Sequence, residues 1–372
     1  MVKSYPAKYL LFFLPFVAAV CLELFILPIH QFTFRVWESL TIKRSFSILK
    51  GQFYPNMELE KQEEGDLAYY TRCAIKKDVR WITDKYGYRK ANVTIKKHPI
   101  VIVGDSNIVG SSLTQEEILS EVLEKRLGQS VYPLAGERLR GLFQHDLLRK
   151  NLPDVVVLAG IERDIPESLV PLRPKDLRNP SPLEEALRRL RLNPTLQNMV
   201  ISIDRIFKAN MLNYLRARIN KSGASHRRAV VSSECPIFFL QGVEANKAST
   251  PERIEQSGQR LKEYRDFLQK KGVRFIFLPI PNKETILYQY LGTQKPFFLE
   301  QLVKRLHELD IEVVDTQKAF DDFYRKTLSM PYHTDDTHWN GLGVKITAGL
   351  LEKQIIRHNT KKRGLISTVF HQ

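Results

Sequence analysis

The chain has 372 residues, of which 43% are hydrophobic and 26% charged, and its formal net charge is +16. This length suits one large α/β domain or two small ones, and the composition excludes a disordered chain. The positive charge favours anionic partners such as nucleic acid, lipid headgroups or an acidic polymer, or else serves only to solvate the surface. Nucleic acid is not predicted as a partner, because no compact run of Lys and Arg is interleaved with aromatic residues that could stack on bases.

The first predicted element is an N-terminal membrane anchor, with residues 1–30 as its domain. The run YLLFFLPFVAAVCLELFILPI covers residues 9–29, and its 21 residues are about the number that a transmembrane helix needs. Lysines precede the run, which favours a cytoplasmic N-terminus with the rest of the chain extracytoplasmic. A cleaved signal peptide would have a shorter apolar core, and Val20 is too bulky for the lipoprotein signal that Cys21 would suggest. Glu23 is costly in lipid, so it is predicted to face a partner helix or to lie near the outer boundary.

Residues 31–97 are predicted to form a stalk that leads into the folded domain. They contain aromatic and charged residues but few long periodic runs. Within them, WITDKYGYRK places Gly87 between two tyrosines, which indicates a turn.

From residue 98 the pattern alternates between strands and helices. PIVIVG is a short apolar run suited to a buried parallel strand. LTQEEILSEVLEKRLG follows as a helix, with Thr114 and Glu117 in the spacing of a capping box. Further strands are predicted at 130–136, 154–160 and 273–279, and a last helix–strand pair in LVKRLHELDIEVVDT.

This alternation implies a mostly parallel sheet that is covered by helices on both faces, over residues 98–358. A segment at about 170–235 interrupts it. We interpret this segment as a helical insertion or lid, or else as a loop-rich excursion without function. Residues 359–372 form a basic tail.

The three cysteines are Cys21, Cys73 and Cys235. They are too few for a disulfide framework, and their spacing matches no zinc pattern. Because Cys21 lies in the apolar run, the one possible bridge is Cys73–Cys235, and nothing in the sequence brings these two together. No P-loop, G-x-G-x-x-G or metal-spaced histidine pair occurs, so neither a metal nor a cofactor is predicted.

The candidate chemistry begins at Ser106, in the turn VIVGDSNIVG that follows the first strand of the domain. A serine nucleophile needs a general base, and the base needs a third group that holds its tautomer. The loop YHTDDTHWNGLG supplies His338, with Asp336 two residues and Asp335 three residues before it. In an open parallel sheet the loops at the strand C-terminal ends line the crevice that binds ligands, so Ser106 and His338 are predicted to meet there. Without G-x-S-x-G, the α/β-hydrolase elbow is excluded.

These motifs resemble the SGNH (GDSL-like) hydrolase superfamily. The closer likeness is to its membrane-anchored branch, which includes the alginate O-acetylation proteins and related polysaccharide acetyltransferases. The resemblance is carried by GDS after the first strand and by DDTHWNGLG, with smaller pieces in TDKYGYR, ERD and LPIPNKETILY. It implies a three-layer α/β/α fold and acyl-ester chemistry through Ser106, His338 and an aspartate. The superfamily pattern D-x-x-H selects Asp335, whereas the D-x-H of the acetyltransferase branch selects Asp336.

The resemblance also implies where oxyanion donors and substrate contacts would lie. The superfamily takes its donors from the nucleophile's own N–H, a glycine and an asparagine. Gly136 fits the glycine, whereas ERD has no asparagine, so Arg163 is predicted to donate instead or else to pair with the preceding glutamate. Lys283 and Tyr288 are predicted to touch the substrate or else to lie on the surface. Trp339 is predicted to stack on a sugar or to pack beneath its loop.

Three functions are compatible with these features. The first is an extracytoplasmic O-acyltransferase, transferring acetyl groups to hydroxyls of a cell-surface polysaccharide, with a multispanning membrane acyltransferase as acyl donor. The second is a carbohydrate esterase or deacetylase with the same triad. The third is a non-catalytic, membrane-tethered binder of an anionic polymer. The anchor and the motifs of the acetyltransferase branch favour transfer.

Overall fold

A computed structural model describes residues 5–43, 48–69, 71–91, 95, 97–173, 181–219, 229–230, 234–241 and 250–369. The strands are β1 (Glu58–Glu63), β2 (Lys77–Ile82), β3 (Ile100–Gly104), β4 (Val131–Ala135), β5 (Val155–Ile161), β6 (Ala229–Val230), β7 (Ile237–Phe238) and β8 (Arg274–Ile280). The α-helices are α1 (Tyr5–Cys21), α2 (Val36–Leu40), α3 (Ser106–Val109), α4 (Leu119–Leu127), α5 (Arg140–Gln144), α6 (Ile165–Ser168), α7 (Pro182–Arg191), α8 (Pro194–Lys208), α9 (Asn210–Ile219), α10 (Pro251–Gln269), α11 (Lys283–Ile286), α12 (Phe298–Glu308), α13 (Thr316–Thr327) and α14 (Gly341–Val369). A π-helical turn, Leu22–Ile26, continues α1.

The central sheet is parallel and has the order β4-β3-β5-β8. Its side chains alternate between two hydrophobic cores. Ile100 and Ile102 enter the core beneath α4 and α14, whereas Val101 and Val103 enter the core beneath α10 and α12. The predicted α/β fold with a parallel sheet between two helical layers is confirmed.

The strands agree with the sequence pattern better than the helix boundaries do. The predicted capping box at Thr114 is wrong, because the Thr114 hydroxyl accepts from the Arg80 amide (3.1 Å) and α4 begins only at Leu119. The predicted strand after α12 is reduced to a single bridge between Val313 and Phe277.

The 31–97 segment differs from the predicted stalk, because it packs into the domain. Its buried residues Val36, Leu40, Tyr54 and Trp81 belong to the same core as α4 and α14. A disulfide joins Cys73 to Cys235, with their Cα atoms 5.3 Å apart, and so ties this segment to the chain near β7. The apolar positions of the segment are divided among short elements such as α2 and β2, which is why the segment shows no long periodic run.

One helix among the described residues, Lys8–Ile26, is long and apolar enough to cross a membrane. Glu23 lies in its last turn, and its carboxylate accepts from the amides of Asn210 (3.0 Å) and Met211 (3.1 Å) at the start of α9. The partner of Glu23 is therefore a helix of the same chain, within the region predicted as an insertion.

Candidate active site

Ser106 is held at the carboxyl end of β3 by a tight strand-to-helix turn. Asp105 accepts from the Asn107 amide (2.8 Å) and so caps the short helix α3. Gly104 has no room for a side chain, because a Cβ there would overlap Ile108. As the first residue of α3, Ser106 has an amide without an intrahelical acceptor. The turn thus presents both the hydroxyl and the amide of Ser106 at the edge of the sheet.

Ser106, His338 and Asp336 form one chain of hydrogen bonds. The Ser106 hydroxyl lies 2.8 Å from His338 Nε2, and His338 Nδ1 lies 2.6 Å from Asp336 Oδ1. Because an ionised carboxylate only accepts, Nδ1 carries the proton and Nε2 is free to accept from the serine hydroxyl. Of the two aspartates that the sequence offered, Asp336 is the one beside the imidazole.

The second oxygen of Asp336 is bound by residues far away in the sequence. Asp336 Oδ2 accepts from the Arg35 guanidinium, from the Ser112 hydroxyl (2.6 Å) and from the Asp66 amide (3.2 Å). Burial alone would raise the pKa of Asp336, but the charges of Arg35 and His338 hold it well below its usual range. Asp336 therefore serves as an ionised acceptor for the imidazole.

Asp335 points away from the triad and anchors the 31–97 segment. It is almost fully buried, and its Oδ2 accepts from the amides of Gly65 (3.0 Å) and Ile75 (2.9 Å). Its Oδ1 pairs with Lys77 Nζ at 2.9 Å. Adjacent carboxylates thus have separate roles in this structure, one toward the histidine and one toward the N-terminal segment.

Asp66 fastens the same loop from the other side. Its carboxylate accepts from the Thr337 amide (2.8 Å) and hydroxyl (2.7 Å). Oxygen and nitrogen atoms of Asp66, Asp336 and His338 lie within 4.8 Å of one another, a spacing that a cation could also use. Hydrogen bonds already explain this cluster: Asp336 and His338 belong to the triad, and Asp66 holds their loop.

Lys283 lies behind the triad rather than at the substrate, contrary to the prediction that it contacts substrate or lies on the surface. It is 3% exposed, and its ammonium donates to the carbonyls of Phe238 (2.7 Å), Thr334 (3.0 Å) and Asp336 (3.1 Å). Burial lowers the pKa of Lys283 to about 8, although nearby carboxylates oppose that shift. Its contacts hold the backbone of the histidine loop.

The Gly136 amide donates to the Gly104 carbonyl at 2.7 Å, which leaves it no hydrogen for an oxyanion. This contradicts the donor role that the resemblance implied. A side chain at Gly136 would overlap Gln52, and the φ of Gly136 is +73°. Glycine is therefore needed here to admit Gln52 from the 31–97 segment.

Arg163 lies just beyond β5, at the same edge of the sheet as Ser106. Its side chain is 18% exposed, with one long contact of 3.4 Å to Asn282 Oδ1 and its Nε 3.6 Å from Asp164. The alternative pairing with Glu162 is not found. Glu162 instead accepts from the Asn282 amide (2.9 Å) and the Thr285 hydroxyl (2.5 Å). Arg163 thus keeps donors that a substrate could use.

The two aromatic candidates have different surroundings. Trp339 is fully buried in the core beneath the loop and pairs with Tyr332 through a β-bridge, so it packs rather than stacks on a sugar. Tyr288 is half-buried at the start of the 3-10 helix Tyr288–Leu291. No contact between Tyr288 and the triad is found within the described part of the chain.

Sequence reasoning missed the residues of the 31–97 segment and of the loop after α3. Arg35, Asp66 and Ser112 all bind Asp336, and fully buried Arg89 braces the serine loop through the carbonyls of Gly110 and Leu113, each at 2.7 Å. No local motif marks Arg35, Asp66 or Ser112, whereas Arg89 ends the TDKYGYR piece that contributes to the resemblance, where it had no assigned role. A signal was available only in the unusual presence of charged residues among scattered apolar ones.

Comparisons with known proteins give one family match. Residues 238–366 match the model of the family described as an SGNH hydrolase-like domain, acetyltransferase AlgX. This range includes His338 and Asp336, whereas Ser106 lies before it. No curated protein matches the chain.

Solved structures with some similarity include three enzymes or enzyme-like proteins. A lipolytic protein of the G-D-S-L family from Desulfitobacterium hafniense has 13% identity and a TM-score of 0.35, over 68% of this chain and 97% of that one. A lipase/acylhydrolase from Enterococcus faecalis has 13% identity and a TM-score of 0.35, over 69% of this chain and 95% of that one. An acetylxylan esterase from Geobacillus stearothermophilus has 12% identity and a TM-score of 0.33, over 70% of this chain and 96% of that one.

Proposed function

We propose that this chain, an SGNH-type acetyltransferase or esterase, is an extracytoplasmic O-acyltransferase that modifies hydroxyls of a cell-surface polysaccharide. The family match over residues 238–366 confirms the SGNH resemblance and supports acetyl as the acyl group. The observation that carries the proposal is the hydrogen-bonded chain from Ser106 through His338 to Asp336.

In the first half-reaction, the Ser106 oxygen attacks the acyl carbonyl while His338 Nε2 takes the serine proton. The tetrahedral intermediate collapses to acyl-Ser106, and the protonated imidazole gives that proton to the leaving group. Asp336 stabilises the imidazolium without taking its proton, which fits the lowered pKa of this carboxylate.

In the second half-reaction, an acceptor hydroxyl gives its proton to His338 Nε2 and its oxygen attacks the acyl-serine. Ser106 leaves as the alkoxide and takes the proton back from the imidazolium. The Ser106 amide is the first proposed oxyanion donor, and Arg163 is the second because its guanidinium keeps unused donors at the same edge. A preorganised donor of this kind is worth about 3 kcal/mol of barrier.

The proposed location outside the cytoplasm is supported by two features. The apolar helix Lys8–Ile26 is long enough to anchor the chain, and the Cys73–Cys235 disulfide is typical of an oxidising compartment. Activated acyl donors are cytoplasmic, so a multispanning membrane acyltransferase is the proposed partner that delivers the acyl group across the membrane.

Transfer and hydrolysis are distinguished by supplying an aryl acetate donor to the purified full-length chain, with and without neutral and anionic oligosaccharides. Transfer gives acetylated oligosaccharides by mass spectrometry, in amounts that rise with acceptor concentration. Ser106→Ala should give neither product nor acyl-enzyme, whereas the matched control Ser329→Ala, at an exposed serine, should keep full activity. Acetate release without acetylated sugar would identify an esterase instead, and an unaltered Ser106→Ala would overturn both enzymatic functions.

A further inference from the structure

Helix α8 binds the rest of the protein through its polar side. Asp204 is 2% exposed and accepts from the Tyr54 hydroxyl (2.7 Å) and the Lys43 amide (3.1 Å). Gln197 is also buried, and it binds Asn56 (3.0 Å) and the Arg191 carbonyl (2.8 Å). These polar contacts lie on one face of the helix, together with the single buried apolar residue Ile201.

The opposite face of α8 is an exposed apolar stripe of Met199, Ile203, Ile206 and Phe207, which are 54%, 44%, 52% and 48% exposed. These positions follow the i, i+4, i+7, i+8 spacing of one helical face, within an arc of about 100°. A helix of a water-soluble surface has the reverse arrangement, with its apolar stripe toward the core. An exposed contiguous stripe of this kind marks an interaction surface.

Helix α9 continues the stripe with Leu212 and Leu215, which are 57% and 48% exposed. Both helices join the end of the predicted anchor. Glu23 caps the first turn of α9, the Arg205 guanidinium of α8 donates to the Glu23 carbonyl (3.0 Å), and the Tyr214 ring lies 5.7 Å from that of Phe32.

We infer that the apolar stripe of α8 and α9 rests in the interfacial layer of the lipid bilayer. The inference rests on the anchoring proposed above, because the stripe adjoins the turn at which the apolar helix ends. The nearest apolar phase at that point is the boundary between lipid headgroups and acyl chains, where amphipathic helices bury one face. Arg216, within α9, and Lys43, whose ammonium lies at the end of α8, are both exposed and suit the phosphates of that layer.

This placement gives the domain a fixed orientation at the membrane. The contacts of Glu23 and Arg205 leave the anchor little freedom to swing relative to α8 and α9. Because Tyr54 and Lys43 connect α8 to the 31–97 segment, and Arg35 connects that segment to Asp336, the triad is held at a set height above the bilayer.

The test uses full-length protein in liposomes of pure phospholipid, with the environment-sensitive fluorophore NBD on single cysteines. In a Cys21→Ser background that keeps the Cys73–Cys235 bridge, the label is placed through Ile203→Cys or Phe207→Cys. Phe297→Cys is the matched control, because Phe297 is 50% exposed and precedes α12 on the other face of the sheet. Quenchers are attached to the lipid headgroup or to the upper acyl chain.

The NBD emission maximum of labels at 203 and 207 should shift to shorter wavelength, and both lipid quenchers should reduce their emission. The label at 297 should show neither effect. If 203 and 207 behave like 297, the inference is overturned. The same holds if they are shielded only in native membranes, since a protein partner would then cover the stripe. A label on the native Cys21 reports insertion of the anchor separately, so loss of quenching there contradicts the anchoring and leaves 203 and 207 to decide the stripe.

Discussion

The two adjacent aspartates allow a sharp separation of catalysis from stability. In Asp336→Asn, the side-chain amide has to place either its oxygen or its NH₂ beside His338. With the oxygen there, the NH₂ faces the Arg35 and Asp66 donors that now bind Oδ2. With the NH₂ there, His338 Nδ1 has to accept and Nε2 carries the proton toward Ser106, which is the wrong tautomer for a base.

The first arrangement sets the NH₂ against two donors, so the second arrangement is favoured, and in it Nε2 cannot take the serine proton. In serine hydrolases, the corresponding change from aspartate to asparagine lowers turnover by about 10⁴-fold. We expect a fall of about 10³- to 10⁴-fold here, which corresponds to about 4 to 5 kcal/mol of activation free energy. Binding of substrate, measured by KM, should change little.

Asp335→Asn should behave in the opposite way. The asparagine oxygen can still accept from the Gly65 and Ile75 amides, but its NH₂ then faces the Lys77 ammonium. Loss of this mostly buried ion pair should lower the free energy of unfolding by about 2 to 3 kcal/mol. Turnover of the folded fraction should stay within a few-fold of wild type.

The assay pairs initial rates of acetyl-ester cleavage with denaturant unfolding, on both variants and at a temperature where both are folded. Asp335→Glu serves as a control that keeps the charge toward Lys77. The reasoning is refuted if Asp335→Asn loses turnover as a folded protein, or if Asp336→Asn retains it. If neither asparagine lowers turnover, the site would be reduced to a Ser106–His338 pair.

Three other predictions concern pH, the disulfide and topology. Burial raises the pKa of Glu162 from 4.5 to about 7, so between these pH values the folded chain keeps a proton that the unfolded chain has lost. The free energy of unfolding should therefore fall as pH rises through this range. Glu162→Gln should flatten this pH dependence in urea unfolding, and an unchanged slope would contradict the prediction. The Cys73–Cys235 disulfide spans 162 residues, and its reduction should lower the free energy of unfolding by about 2–4 kcal/mol. Unfolding is measured with and without reductant, and equal free energies of unfolding would show that the disulfide contributes nothing. Lysines before the apolar run predict residues 30–372 outside, so protease added to spheroplasts should degrade the domain, and protection until lysis would reverse this topology.

The sheet could be predicted because its information is local. Each of β3, β4, β5 and β8 is a short apolar run bounded by turn residues, and these runs are buried on both faces as the pattern requires. The end of α4 at Gly128 is likewise local, since a left-handed residue there has φ +62°. The start of α4 was missed because the Thr114 hydroxyl binds Arg80, a contact from another element.

The site could be predicted only as far as its motifs extend. The resemblance singled out Ser106 and His338 and, through the D-x-H of its acetyltransferase branch, favoured Asp336 over Asp335, but it does not explain the direction in which each aspartate points. That direction is set by Arg35 and Lys77, which reach the loop from 301 and 258 residues away. Contacts of such separation leave no spacing to detect in one sequence, and Lys283 was misassigned for the same reason.

The contact of Arg35 with the distant Asp336 has a consequence for how the newly synthesised chain folds. A ribosome makes Arg35 301 residues before it makes Asp336, so the guanidinium lacks its partner in the triad until nearly the whole chain exists. The N-terminal segment then docks in the same late step that fixes His338 for catalysis. This step is slow, because contacts between residues far apart in the sequence require a long loop to close. A chain that stops before Asp336 would have no general base for Ser106, and until the last loop is made the partly folded chain keeps apolar surface exposed.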